Sequence, residues 1–195
     1  VRQLVTLEYP LRDLADAGHT VGATVNAALL AAVVEGIRRY HLALATDVDE
    51  LRITMPVNRR RAGDEPGGNH FTPARFAVPA DIDDPTERMR VVGARARAAR
   101  DEPALGWTDA LASVFQRLPA PVTTGVFGSM LKHVDVAVTN VPGLPVRTYL
   151  AGTELVRTYA FGPPTGAAVN VALLSHLYTA CIGVVTDPAS VADRE

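Results

Sequence analysis

The polar side chain with the clearest chemical potential is Asn140, which ends a β-branched run and precedes Val141-Pro142-Gly143. Proline fixes φ and glycine accepts positive φ, so this segment predicts a buried strand that ends in a sharp, ordered turn. A carboxamide there offers hydrogen-bond donors and acceptors at the end of a strand, where ligands of mixed sheets usually bind. The alternative is that Asn140 only caps the turn, and the sequence leaves both interpretations open.

Two other asparagines are candidate site residues. Asn26 lies in the first turn of a long apolar helix, where an asparagine either bonds local backbone or contacts a ligand. Asn69 follows two glycines and opens an extended segment, so it either faces a ligand or forms an ordinary loop exit. The run Arg59–Arg61 has the chemistry to bind phosphate, although a charged run in a polar loop is usually only solvated.

The remaining chemistry-bearing residues form no familiar catalytic or metal motif. The five histidines are not spaced as helix-borne metal ligands, and the single cysteine, Cys181, lies in an apolar run that predicts a buried thiol. The sequence contains no nucleophile-elbow, Walker A or dinucleotide-binding glycine pattern. Ser175 and His176 are adjacent, but neighbours on a strand point to opposite faces and do not form a dyad. We therefore predict no catalytic residue, metal or resident cofactor for this chain.

Length and composition favour a single domain over residues 1–195. Hydrophobic residues make up 48% of the chain and charged residues 21%, a balance that supports a core and argues against global disorder. The net charge of −2 does not indicate a nucleic-acid-binding protein, because such domains are usually basic. No apolar run approaches the roughly 20 residues of a membrane span, and no signal peptide is visible, so we expect a cytoplasmic location.

Hydrophobic periodicity and turn residues predict the elements that position these side chains. The most distinct are a buried helix over 24–40 and a helix over 85–100 that begins with the Asp84 cap and Pro85. Residues 51–57 alternate between apolar and polar, as in a half-buried strand. Further strands are predicted at 3–7, 69–78, 135–140, 155–161, 166–175 and 178–185, and further helices at 10–17, 107–117 and 122–131. The predicted fold is α/β, a two-layer sandwich of a mixed sheet of about six strands with helices packed on it.

Seven short segments of the chain resemble one enzyme family. Each is weak alone, but their common order covers nearly all of the sequence. Together they resemble the C-terminal domain of bacterial wax ester synthase/diacylglycerol acyltransferases. The segments are, in chain order, Gly22–Asn26, Pro56–Arg60, Gly68–Asn69, Asn140–Gly143, Tyr149–Gly152, Leu173–Ser175 and Gly183–Asp187.

This resemblance implies one half of a chloramphenicol acetyltransferase-like fold, in which two similar α/β halves enclose a substrate tunnel. The family's His-His-x-x-x-Asp-Gly motif, whose second histidine is taken as the general base, belongs to the N-terminal half and does not occur in this sequence. The implied partner is that N-terminal half of the same acyltransferase. The implied substrates are acyl-CoA and an alcohol or diacylglycerol, with no resident cofactor, and this half alone is expected to be inactive. The implied substrate-binding residues are Asn140, Val141, Pro142, Gly143, Asn26 and Asn69.

The family commonly has Ser-Tyr where this sequence has Ser175-His176. The sequence also departs from the family where Ala27 follows Asn26 in place of the usual Asp. This departure leaves two alternatives open: a non-catalytic acyl- or protein-binding module, and a divergent acyltransferase with a polyketide or peptide-type acceptor. Arginines such as Arg88 and Arg95 flank a narrow apolar stripe on the 85–100 helix, and we expect them to extend into solvent at its edges. Their alternative role is peripheral contact with anionic lipids of a membrane or lipid droplet.

Overall fold

The computed structural model describes residues 2–58, 71–102, 134–163 and 166–192. Within these ranges the chain forms three helices, α1 (Leu11–His19), α2 (Val25–Ala43) and α3 (Pro85–Arg100). The helices predicted at 107–117 and 122–131 lie outside the described residues, as do Asn69 and the Arg59–Arg61 run.

The strands of the described residues form one six-stranded mixed sheet and a short hairpin. The sheet has the order β1-β8-β7-β4-β2-β3, in which β2, β4 and β7 run parallel and the other neighbours pair antiparallel. The predicted α/β fold with about six sheet strands is therefore confirmed. The strands are β1 (Gln3–Pro10), β2 (Glu50–Asn58), β3 (Phe71–Pro79), β4 (Val136–Val141), β5 (Tyr149–Leu150), β6 (Thr153–Glu154), β7 (Val169–His176) and β8 (Thr179–Thr186), with β5 and β6 making the hairpin.

The core lies between one face of this sheet and the helices. Leu51 and Ile53 on β2 are buried, with an exposed residue between them, as the alternating pattern predicts. On α2, Leu30 and Val34 are fully buried, which confirms the prediction of a buried helix. The Thr24 side chain accepts a bond from the Ala27 amide and begins α2, so the helix start is fixed by its own cap.

The segment predicted as a strand at 155–161 is not one, and this prediction was wrong. Residues Leu155–Pro163, here called the strap, run without sheet pairing across the face of the sheet opposite the helices. Its Ala160 carbonyl lies so close to Gly183 of β8 that a side chain at that position would collide with it. The strap has no sheet position to occupy beside β8, because β8 is already paired with β1 on one side and β7 on the other.

The strap is tied to the edge strand β1 through Glu8. The Arg157 Nε donates to the Glu8 carboxylate at 2.8 Å, and the Tyr159 hydroxyl donates to its other oxygen. The bonds from Tyr159 and Arg157 hold the pKa of Glu8 below its ordinary value. These contacts hold together residues about 150 positions apart in the sequence.

Arg88 also departs from its predicted place at the solvated edge of α3. It is 5% exposed, and its guanidinium lies 2.9 Å from the Glu35 carboxylate of α2. It also donates to the carbonyls of Ile82 and Asp83 at 3.0 Å each. Burial of this arginine is tolerated because the carboxylate and the two carbonyls together replace its hydration. Arg88 therefore fastens the start of α3 to α2.

Candidate functional site

Asn140 occupies the carboxyl end of β4, the edge at which the parallel strands β2, β4 and β7 all end. Val136 and Val138 belong to the core beneath the helices, so the side chain of Asn140 lies on that same face. Its Cα pairs with that of Leu173 on β7, which is 1% exposed. Within the described residues the Asn140 carboxamide forms no hydrogen bond. A side chain that capped the turn would form a hydrogen bond to its backbone, and the Asn140 side chain forms none among the described residues.

The turn after Asn140 is held by β7 instead. The Gly143 amide donates to Ser175 Oγ at 2.8 Å, and Pro142 has no amide of its own to place. The Gly143 backbone also lies so close to the Ser175 carbonyl that an added Cβ would overlap it. Glycine is thus required here by close approach of two backbone segments rather than by positive φ.

Asn26 reaches the same edge from the helix layer. Its amide Nδ2 lies 3.1 Å from Met55 Sδ, so the side chain points at β2 rather than back to local backbone. Ile53 pairs with Val136, and the continued parallel register brings Met55 beside Val138, two residues before Asn140. The structure therefore brings two of the three predicted asparagines to one edge of the sheet. The third, Asn69, lies outside the described residues.

Position 27 points away from this edge. Ala27 is 4% exposed, and its Cβ would lie only 3.0 Å from a Cβ placed on Gly93 of α3. A larger side chain at position 27 would press on α3. The alanine at this departure from the family pattern is thus part of the α2–α3 contact.

A run of exposed apolar side chains begins at the Asn140 turn. The segment Val141–Glu154, here called the apolar arm, leaves the sheet and carries the β5–β6 hairpin. An ion pair between Arg147 and Glu154, 3.4 Å apart, links the two sides of the hairpin. Each large apolar residue of the arm is more than a third exposed, so this short segment places several apolar side chains in solvent. These residues are Val141, Leu144, Val146, Tyr149 and Leu150.

The opposite, amino-terminal edge of the same strands has a different character. There Asp135 accepts bonds from the Arg52 amide at 2.8 Å and from its guanidinium at 3.1 and 2.8 Å. Burial alone would raise the pKa of Asp135, but the bonds from Arg52 outweigh it and lower the pKa. An adjoining open cavity of about 910 Å³ is lined by residues including Ile37, His41 and Val191.

The carboxyl edge is polar and carries no charged group among the side chains described above. The described residues also hold no group of three or more His, Cys, Asp or Glu side chains that could ligate a metal. The described carboxylates with a shifted pKa, Glu8, Glu35 and Asp135, are all engaged in ion pairs elsewhere. In Glu35 the bond from Arg39 is the main cause of a lowered pKa. Asn26 and Asn140 can bind and orient a neutral polar group but cannot act as an acid or base. His176, at the end of β7, is buried on the opposite face of the sheet.

The sequence reasoning found the two asparagines and missed two features of the site. It did not assign a role to Ser175, although the serine ends a predicted strand. It also did not predict the β5–β6 hairpin, for which Ala151-Gly152 was the available turn signal, both residues having positive φ. Cys181 is fully buried, as predicted. No helix among the described residues has the length and apolar character needed to cross a bilayer.

Comparison with known proteins finds relatives of this chain both by sequence and by fold. A Mycobacterium tuberculosis protein bearing the name "Putative diacyglycerol O-acyltransferase" is 39% identical over 189 residues, which cover 97% of this chain and 38% of that protein. The wax ester synthase/diacylglycerol acyltransferase of Marinobacter aquaeolei VT8 superposes with a TM-score of 0.70 at 18% identity, covering 98% of this chain and 44% of that one. The nonribosomal peptide synthetase FmoA3 superposes with a TM-score of 0.64 at 17% identity, covering 98% of this chain and 20% of that one.

The two structural likenesses show the chloramphenicol acetyltransferase-like fold that the sequence resemblance implied. The chain spans about two fifths of the length of the curated relatives it matches. The family described as "WS/DGAT C-terminal domain" matches residues 67–195, and these include β4 and β7, the turn at Asn140 and the apolar arm, but not β2. The chain therefore belongs to the wax ester synthase/diacylglycerol acyltransferase C-terminal domain family.

Proposed function

We propose that this chain is the C-terminal part of an O-acyltransferase that moves a fatty acyl group from acyl-CoA to the hydroxyl of an alcohol or diacylglycerol. The observation that carries the proposal is the apolar arm, which starts at the Asn140 turn and is exposed along its length. Such a surface is stable in water when another part of the protein covers it. The covering part, in this proposal, is the N-terminal half, which supplies the histidine base.

The division of labour follows from the chemistry of the carboxyl edge. Asn26 and Asn140 offer neutral hydrogen-bonding groups, which suit the oxygen atoms of a thioester or a hydroxyl. Removal of the hydroxyl proton needs a base, and neither Asn26 nor Asn140 can act as one. His176 ends β7 at this edge, but it is buried and lies on the face of the sheet opposite Asn140. This half therefore binds and orients substrate, and the missing half performs the proton transfer.

The test compares this chain alone with the full-length protein that contains it. With palmitoyl-CoA and hexadecanol or a diacylglycerol, we expect ester formation by the full-length protein and none by the 195-residue chain. The expected difference is at least the roughly 10²–10⁴-fold that loss of a general base costs. A full-length protein that forms no ester with either acceptor would overturn the proposal, and so would turnover by the isolated chain.

The role of the apolar arm can be tested by charge. Leu150→Asp in the full-length protein places a carboxylate at a position 68% exposed in this chain, so it costs little if the arm stays in water. Against a covering half, the same change should reduce stability and ester formation together. Tyr178→Asp, at a side chain 87% exposed on the β7–β8 turn, is the matched control and should be neutral. Equal behaviour of the two variants would contradict a covered arm.

A second acceptor class is also proposed, since the nonribosomal peptide synthetase FmoA3 shares the fold. In that case the full-length protein would acylate a polyketide or peptide-type hydroxyl or amine and leave hexadecanol untouched. Acceptor competition with palmitoyl-CoA held constant separates the two classes.

Peripheral contact with anionic lipid is part of the proposal through the outer face of α3. Its residues Arg90, Arg95 and Arg97 are exposed, although Arg90 lies 3.6 Å from Glu87. We expect weak, salt-sensitive sedimentation with phosphatidylglycerol vesicles and none with phosphatidylcholine vesicles. Equal sedimentation with both kinds of vesicle would contradict an electrostatic contact with anionic lipid.

A further inference from the structure

Among the described residues, Ser175 is the one whose side-chain hydroxyl forms a hydrogen bond to the Asn140 turn. It lies on β7 two residues beyond Leu173, the partner of Asn140, so its side chain shares the helix-side face and the carboxyl edge. Its Oγ accepts the Gly143 amide at 2.8 Å. The side chain is only partly buried, so the hydroxyl remains within reach of a bound molecule.

A serine hydroxyl that accepts one bond still has a proton to donate. Among the residues that the structure describes, no acceptor receives the Ser175 proton. The amide that donates to Oγ draws electron density from the oxygen, and such chains of hydrogen bonds strengthen the next donor. Ser175 is thus a polarised, unused donor at the same edge as the free carboxamide of Asn140.

We propose that Ser175 binds substrate, donating its hydroxyl proton to the carbonyl oxygen of the acyl thioester while the Gly143 amide holds Oγ in place. This inference rests on the proposed acyltransferase function. A donor directed at a carbonyl oxygen gains strength as negative charge develops there, so the contribution falls mainly on kcat. Ser175 then has two tasks: it fixes the turn as an acceptor and contacts the acyl group as a donor.

The experiment uses the full-length protein with palmitoyl-CoA and hexadecanol. We expect Ser175→Ala to lower kcat by about tenfold or more per folded molecule, with a smaller change in KM. Ser175→Thr keeps a hydroxyl on a strand that accepts β-branched residues, and it should restore most of the loss. Ser190→Ala, an exposed serine beside the amino-edge cavity, is the control and should match the wild type.

The outcomes separate the two proposals. If the wild type is active and Ser175→Ala shows only a lower melting temperature at unchanged kcat, the serine is a purely structural acceptor and the inference is wrong. If Ser175→Thr is as slow as Ser175→Ala, the hydroxyl is not the active feature, and the inference is again wrong. If the wild type itself transfers no acyl group, the proposed function fails first and the role of Ser175 falls with it.

Discussion

The two ends of the parallel strands use polar groups in opposite ways. At the amino edge, Asp135 and Arg52 satisfy one another through three hydrogen bonds. At the carboxyl edge, the Asn140 carboxamide is unbonded among the described residues, Asn26 meets only a thioether, and Ser175 keeps a free proton. A polar group that is already paired contributes to the fold, whereas an unpaired one beside an exposed apolar surface is available to a ligand or partner.

The apolar residues sharpen the same contrast. The two valines that flank Asp135, Val134 and Val136, are buried. Beyond Asn140 the chain exposes Val141 at 39% and Leu144 at 59%. Within residues 2–58, 71–102, 134–163 and 166–192, the polar and apolar groups of the amino edge are thus paired or buried, whereas those of the carboxyl edge are not. Four substitutions in the full-length protein test whether the carboxyl edge serves activity and the amino edge serves stability.

The largest effect is expected from Gly143→Ala. Its Cβ would overlap the Ser175 carbonyl, so the turn must move away from β7 and carry Asn140 with it. We expect loss of most ester formation and a destabilisation of about 3 kcal/mol, measured by turnover and by thermal unfolding. Gly36→Ala is the control, because a Cβ there meets nothing within 4 Å and alanine favours the helix. A Gly143 variant as active as the control would refute the tight turn.

The next effect is expected from Asn140→Ala. The carboxamide makes no bond within the described residues, so its removal should leave the melting temperature nearly unchanged. Turnover should fall about 10–100-fold, the size of one oriented hydrogen bond to the reacting group. Both quantities are measured on the same preparation. A fall of several degrees in the melting temperature with unchanged turnover would show that Asn140 stabilises the fold and does not act on substrate.

At the amino edge, Asp135→Asn should show the reverse pattern. It removes the charge that pairs with Arg52, and we expect a loss of about 1 kcal/mol in the free energy of unfolding with unchanged turnover per folded molecule. The pKa of Asp135 is lowered in the folded protein, so its contribution is complete above the ordinary Asp pKa and is lost as pH falls through the lowered value. Unfolding curves from pH 6 downwards should therefore converge for variant and wild type under acid conditions. Parallel curves would contradict this ion-pair contribution.

The smallest effect is expected from Asn26→Ala. A hydrogen bond from the Asn26 carboxamide to a thioether sulfur is weak, so the free energy of unfolding should change by less than about 1 kcal/mol. If Asn26 also contacts substrate, turnover should fall a few-fold. The double variant with Asn140→Ala then tests coupling, because two groups that bind the same substrate atoms should give losses that do not simply add. Additive losses would place the two asparagines in separate roles.

The sequence by itself determined the elements whose causes are local. The alternation at 51–57, the helix start at Asp84-Pro85 and the proline–glycine turn after Asn140 each arise from neighbouring residues, and the structure contains all three. The ordered set of short segments also identified the family, because chain order survives where individual positions diverge. The strand predicted at 155–161 failed, since extended residues form a strand only where a sheet edge is vacant.

Tertiary structure alone decided which polar groups are used and which remain free. Gly143 meets Ser175 across 32 residues, Asn26 meets Met55 across 29, and Arg88 is buried against Glu35 of another helix. None of these pairings has a periodic or local signature, because each joins elements that only the fold brings together: the turn after β4 with β7, α2 with β2, and α3 with α2. Adjacent asparagine and alanine at 26 and 27 illustrate the point: helix geometry turns one towards β2 and buries the other against α3.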